Sequence, residues 1–185
     1  MKREIATPRQ QRHDRRERDT TTRIGQFISQ NGIILMTERR DFGSVRLSPD
    51  GVVGVNSLII GSAKEETTAV ERGVQIHCAE APERFDTTRY IDFDEIEELL
   101  AALQYIDQLS MSVLCKDLDD TEVIYITRDR VAFGFGQFKT IGQAFFIRLD
   151  DFEDRIILLD TSFMNLTRKI RNAAEHLSSR GALAS

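Results

Sequence analysis

Apolar residues recur at steps of three and four at Ile96, Leu99, Leu100, Leu103 and Ile106, the spacing of a helix with one buried stripe. Its start is marked by Asp92 in the position of an N-cap, with Glu95 three residues on as in a capping box and Ile91 and Ile96 flanking as a hydrophobic staple. A second stripe runs through Phe163, Leu166, Ile170, Ala173, Ala174 and Leu177, with Asp160 as its expected cap.

Outside these helices the period changes from three or four to two. Ser44–Leu47 and Val52–Ile60 flank Ser48-Pro49-Asp50-Gly51, where proline presets a torsion, aspartate closes the turn and glycine takes a positive φ, so a hairpin is expected. Earlier in the chain, Ile24, Phe27 and Ile28 have helical spacing, but Asn31-Gly32 ahead of Ile33–Met36 favours another hairpin. Gly73–Ala79 alternates as a strand, and Arg89–Ile91 leads into the first helix. After it, Met111–Cys115, Glu122–Thr127, Arg130–Phe138, Gln143–Leu149 and Arg155–Leu159 all have strand texture. The resulting expectation is an α+β fold of two antiparallel β-meanders, each ending in a strand and an Asp-capped helix. With the caps aligned the two stripes are one residue out of step, which leaves an internal duplication open.

In Arg130–Phe138 the faces differ in bulk. Val131, Phe133 and Phe135 fall on one, and Ala132, Gly134 and Gly136 on the other. Glycine within a strand marks close approach of something; a helix lying across it is the default and a small-ligand or lipid-headgroup face the alternative.

Composition divides the chain electrostatically. Of its 185 residues, 41% are hydrophobic and 30% charged, enough for a real core. Residues 1–24 hold eight bases against four acids, while the remainder holds seventeen against twenty-six. The organisation expected is a disordered basic tail over residues 1–22, one domain over 23–178 with sub-units at about 23–109 and 110–178, and a flexible C-terminus over 179–185. Arg12, Arg15, Arg16 and Arg18 are the tail's candidate anion contacts, toward nucleic acid or an anionic surface, although acids interrupt them and no aromatic is interleaved for base stacking. No apolar run approaches the roughly 20 residues of a membrane helix, and no signal peptide is evident, so a cytoplasmic protein is expected. Cys78 and Cys115 read as buried free thiols.

Candidate chemistry is sparse. Gly134–Thr140 resembles a phosphate loop only superficially, because Phe138 stands where glycine must precede Lys139 and a strand follows instead of a helix. The acid clusters at Asp117–Glu122 and Asp150–Asp154 lack the pattern of a calcium loop, and His13, His77 and His176 have no zinc spacing. No catalytic residue, metal or cofactor is implied. The positive feature is charge. Glu97, Glu98 and Asp107 lie on a helix without a lysine or arginine between Ile91 and Met111, whereas Arg168, Lys169, Arg171, His176 and Arg180 crowd the C-terminal part of the second helix. These two helices suit pairing with each other or with copies, and the function expected is a non-catalytic protein-interaction or assembly module with a protein partner or self-association.

Overall fold

A computed structural model describes residues 22–48, 51–62, 70–80, 85–111, 121–139, 142–149, 157–159 and 163–181. In chain order these form α1 (Arg23–Ser29), β1 (Leu35–Ser48), β2 (Gly51–Ser62), β3 (Val70–Glu80), β4 (Phe85–Asp92), a single 3-10 turn (Phe93–Glu95), α2 (Ile96–Ser110), β5 (Thr121–Ile126), β6 (Ala132–Phe138), β7 (Gly142–Arg148), β8 (Ile157–Leu159) and α3 (Phe163–Gly181). The α+β class and the antiparallel meanders are as the period of the sequence implies. β1 to β4 form one meander and β5 to β7 the other. The short β8 joins them, pairing antiparallel with β7 and, through Leu47↔Leu159 and Ser48↔Leu158, with β1.

The strand order is therefore β4-β3-β2-β1-β8-β7-β6-β5. Each half places its four strands in the same sequence across the sheet and then emits a helix. The α2 stripe of Ile96, Leu99, Leu103 and Ile106 and the α3 stripe of Phe163, Leu166, Ile170, Ala173 and Leu177 are buried in one core, with Val53, Val55, Val74 and Ile76 from the first meander and Phe133, Phe135 and Ile147 from the second. Alternation along the strands produces this: in β2, Val53 and Val55 face the helices while Gly54 and Asn56 point to the opposite face.

On that opposite face α1 covers a smaller core. Ile24 and Phe27, three residues apart, pack with Leu58 and Ile60, and Tyr90 borders them. Here the expected Asn31-Gly32 hairpin gives way to a helix, because the spacing of Ile24 and Phe27 matches an apolar patch on the sheet that needs cover. Thr22 starts this helix by accepting from the Gly25 N–H at 3.2 Å. β1 is correspondingly longer than the expected Ser44–Leu47 strand, and its register shifts between Asp41 and Ser44. At that bulge Gly43 adopts φ 83° and donates its N–H to Asp41 at 2.6 Å.

Asp92 corrects the expected cap. Its side chain makes no hydrogen bond to the turn or helix it precedes; instead it accepts from the backbone N–H groups of Arg23 at 2.9 Å and Ile24 at 3.2 Å, the first residues of α1. Glu95 likewise leaves the capping box and accepts from the Arg128 N–H at 2.7 Å, in the β5–β6 turn. Both carboxylates serve remote backbone donors, which sequence spacing does not reveal. From the same turn Asp129 accepts from the outward N–H of Tyr90 in β4 at 2.8 Å. The two outermost strands of the order are thus tied together at one end.

Other differences are local. The close approach over Gly134 and Gly136 is made by aromatic rings of the sheet itself, where a helix was the default expectation. A Cβ on Gly134 would lie 2.3 Å from the Phe146 ring, and one on Gly136 would lie 2.7 Å from the Phe138 ring. The bases of α3 were expected toward its C-terminal end, but Arg168, Lys169 and Arg171 stand in its first half and only Arg180 is in the last turn. α3 also runs to Gly181, so Ser179 and Arg180 are helical where the flexible C-terminus was expected to begin. Met111 ends α2 and does not open a strand. Cys78 is buried. Asp160, Cys115 and residues 1–21 lie outside the described residues.

Substituting Asp92 by alanine should cost about 1–3 kcal/mol, the penalty for leaving buried donors unpaired. Hydrogen exchange should accelerate at the Arg23 and Ile24 amides and not in α2; acceleration confined to the start of α2 would restore the capping-box reading. Gly134→Ala should lower the urea midpoint by an amount equivalent to about 1–3 kcal/mol, since the new methyl meets a buried ring.

Candidate interaction surface

The acids around α2 divide into those engaged within the fold and those left over. Asp94 is held by Arg128 at 3.0 Å and Arg23 at 2.9 Å, and the Arg128 hydrogen bond, with both positive charges, keeps its carboxyl below the ordinary range. Glu95 is buried, and burial raises its pKa against the opposing pull of the Arg128 N–H. Its second oxygen is buried without a partner. Burial, and then the nearby charges of Glu98 and Glu95, raise the Tyr125 phenol on β5. Glu98 therefore lies near Tyr125 on β5.

Asp107 lies elsewhere. At about 100° per residue, Glu98 and Asp107 project from opposite sides of α2, so the three acids do not form one patch. Asp107 is half-buried in the wall of a groove of about 600 Å³ between α2 and α3. Buried Leu103 and Thr167 form its floor. Gln104, Asp107 and Gln108 form the α2 wall; Met164, Asn165, Arg168 and Arg171 form the α3 wall. Met111, one turn beyond Asp107, and Met164 are 75% and 61% exposed.

Local structure fixes these walls. Thr167 donates to the Phe163 carbonyl at 3.1 Å, which turns its hydroxyl back onto the helix. Arg168 is steadied by Asn165 at 3.0 Å. Lys169 instead points to β1, donating to the Phe42 carbonyl at 2.8 Å, and Arg180 pairs with Glu38 at 2.6 Å. His176, in contact with Ser57 at 3.0 Å, has its pKa lowered by burial and by Arg40. Four of the five charges on that side are thereby oriented onto the sheet or along the helix, but Arg171 is not. Among the described residues no ion pair or hydrogen bond engages the side chains of Asp107 or Arg171.

The remaining candidate residues are placed as follows. Glu97 and Glu98 are exposed near the start of α2, outside the groove. Ala132, Gly134 and Gly136 are buried, the two glycines beneath Phe146 and Phe138, and Arg148 lies 4.6 Å above the Phe146 ring while bonding Glu122 at 2.6 Å. Arg12, Arg15, Arg16 and Arg18 lie outside the described residues. Among the described residues no group of three or more His, Cys, Asp or Glu side chains is placed to hold a metal, and no helix is long and apolar enough to cross a membrane. The sequence reading missed Met164, although its position outside the Phe163–Leu166–Ile170 stripe marks it as an apolar residue turned away from the core. Comparison with protein-family models, curated proteins and solved structures finds no match.

Glu95 gives the site's neighbourhood a pH dependence of definite sign. Its folded-state pKa lies above the ordinary value of 4.5, so the stability it contributes is full below that value and is lost as pH rises through the raised one. Asp94 acts oppositely, its contribution being lost only as pH falls through its depressed pKa. Glu95→Gln keeps an acceptor for Arg128, so it should flatten the decline of the urea midpoint as pH rises above about 4.5. Superimposable pH profiles for the two proteins would refute the assignment.

Proposed function

We propose that this protein is a non-catalytic interaction module that binds another protein surface through the groove between α2 and α3. The observation that carries the reading is the pair of opposed, unengaged charges there, Asp107 on one wall and Arg171 on the other, beside two exposed methionines. Charges that stabilise a fold are commonly paired, buried or placed at helix ends. Asp107 is near the C-terminal end of α2 and Arg171 near the middle of α3, so neither gains from its helix dipole. Methionine is suited to such a surface because its unbranched, polarisable side chain adapts to a partner. The reading narrows the acidic face of α2 to the end that carries Asp107.

Met164→Glu tests it, because the residue is mostly exposed and the change should leave the melting temperature unaltered. Complexes of the full-length chain, detected by light scattering of the purified protein and by pull-down from cells, should weaken at least about tenfold, equivalent to the loss of about 1.4 kcal/mol. The Glu97→Lys/Glu98→Lys double variant, altered outside the groove, should weaken them less. Complexes insensitive to Met164→Glu, or no complex with the wild type by either method, would overturn the proposal.

A further inference from the structure

The groove's charge distribution also specifies an occupant. On the groove walls α2 presents the acid Asp107 and no base, and α3 presents the bases Arg168 and Arg171 and no acid. The two walls therefore bear opposite charges while lying side by side on one surface. A partner matching this surface must be basic where it meets α2 and acidic where it meets α3. One such partner is already defined, namely the same surface turned over.

We infer that the groove binds a second copy of this chain, about a two-fold axis running along it. This rests on the reading of the groove as an interaction surface. Rotation by a half-turn about an axis along the groove places α2 of each copy over α3 of the other, whereas an axis across the groove would set α2 on α2 and α3 on α3. Only the first apposes unlike charges, and it does so twice, as an isologous contact requires. Asp107 of one copy then faces Arg168 and Arg171 of the other. Gln104 and Gln108 meet Asn165, with donors and acceptors on both sides, and Met164 packs between them.

Size sets the strength expected. α2, of 15 residues, is about 22 Å long, and two helices side by side are about 20 Å wide, so the contact is at the lower end of specific interfaces. A reversible dimer with micromolar dissociation follows, weakened by salt because its charges are at the surface.

The full-length chain should pass from monomer to dimer between about 1 µM and about 500 µM in sedimentation or light scattering. Asp107→Arg alone, and Arg168→Glu/Arg171→Glu alone, should each leave it monomeric across that range. Mixed one to one, these two variants should associate, because each then presents to the other the charge its own copies lack. If arginine at 107 disturbs folding, as a thermal melt would show, Asp107→Asn replaces it and should weaken the wild-type dimer at least tenfold. A wild type monomeric throughout would overturn the inference and leave the interaction-module reading standing, provided Met164→Glu still abolishes capture of a different protein. A wild-type dimer whose two variants fail to associate when mixed would place self-association on another surface and overturn the inference as well.

Discussion

The structure depends on the turn between β4 and α2, where two buried carboxylates collect backbone donors from distant parts of the chain. Asp92 is wholly buried. A carboxylate removed from water is tolerable only if its oxygens are bonded and its charge is opposed. Arg23 and Ile24 supply N–H groups from 69 and 68 residues away, while the guanidinium groups of Arg23 and Arg128 approach to 3.8 Å and 3.5 Å. Glu95, three residues on, takes the N–H of Arg128. One four-residue segment thus fixes where α1 begins, where the β5–β6 turn rests and how α2 leaves the sheet. The turn it holds is itself constrained, with Arg130 at φ 60° and Thr127 bonding both the N–H and the carbonyl of Val131.

That junction also explains the shape of the sheet. Numbering each half from its own first strand, the order reads four, three, two, one and then four, three, two, one again. The first strand of one half meets the fourth of the other at β1 and β8, through two residue pairs. At the opposite end the same kind of meeting, between β4 and the turn after β5, is made by the Asp129 side chain on Tyr90. The halves share one strand order, and each fourth strand delivers its helix to the same face. Two helices delivered side by side onto one continuous core leave a groove between them, so the candidate surface is a consequence of the strand order.

Much of this was legible because it follows from periodicity. The stripes from Ile96 to Ile106 and from Phe163 to Leu177 specify their helices, since every third or fourth residue must meet the core, and alternation in Val131–Phe135 specifies its buried face. What was not legible involves partners distant in sequence. Asp92 and Glu95 have the spacing of a local capping box, yet buried N–H groups elsewhere offered better-placed donors. Ile24 and Phe27 are too short a pattern to outweigh Asn31-Gly32 until Leu58 and Ile60 are known to be exposed behind the sheet without them. The glycines of β6 announce a close neighbour, but Phe146 and Phe138 are as compatible with that signal as a helix. At the groove, Asp107, Arg168 and Arg171 are each visible as charges; their apposition requires knowing that α2 and α3 are neighbours.

The charges of α2 and α3 raise a question of energetics that the fold alone does not answer. Adjacent helices of opposite charge attract weakly at best, because exposed pairs are worth about 0–1 kcal/mol and are screened by salt over about 8 Å. Stability would favour closing such pairs, yet Asp107 and Arg171 remain apart across the groove, while Lys169 and Arg180 of the same helix are engaged with β1. Intramolecular stabilisation therefore accounts for the latter two and not for the former. Water satisfies Asp107 and Arg171 in the isolated chain, and a second surface can do so in place of water only if it brings charges in register with both. Such a requirement selects orientation more than affinity, which is how a small groove becomes specific for one arrangement of its occupant.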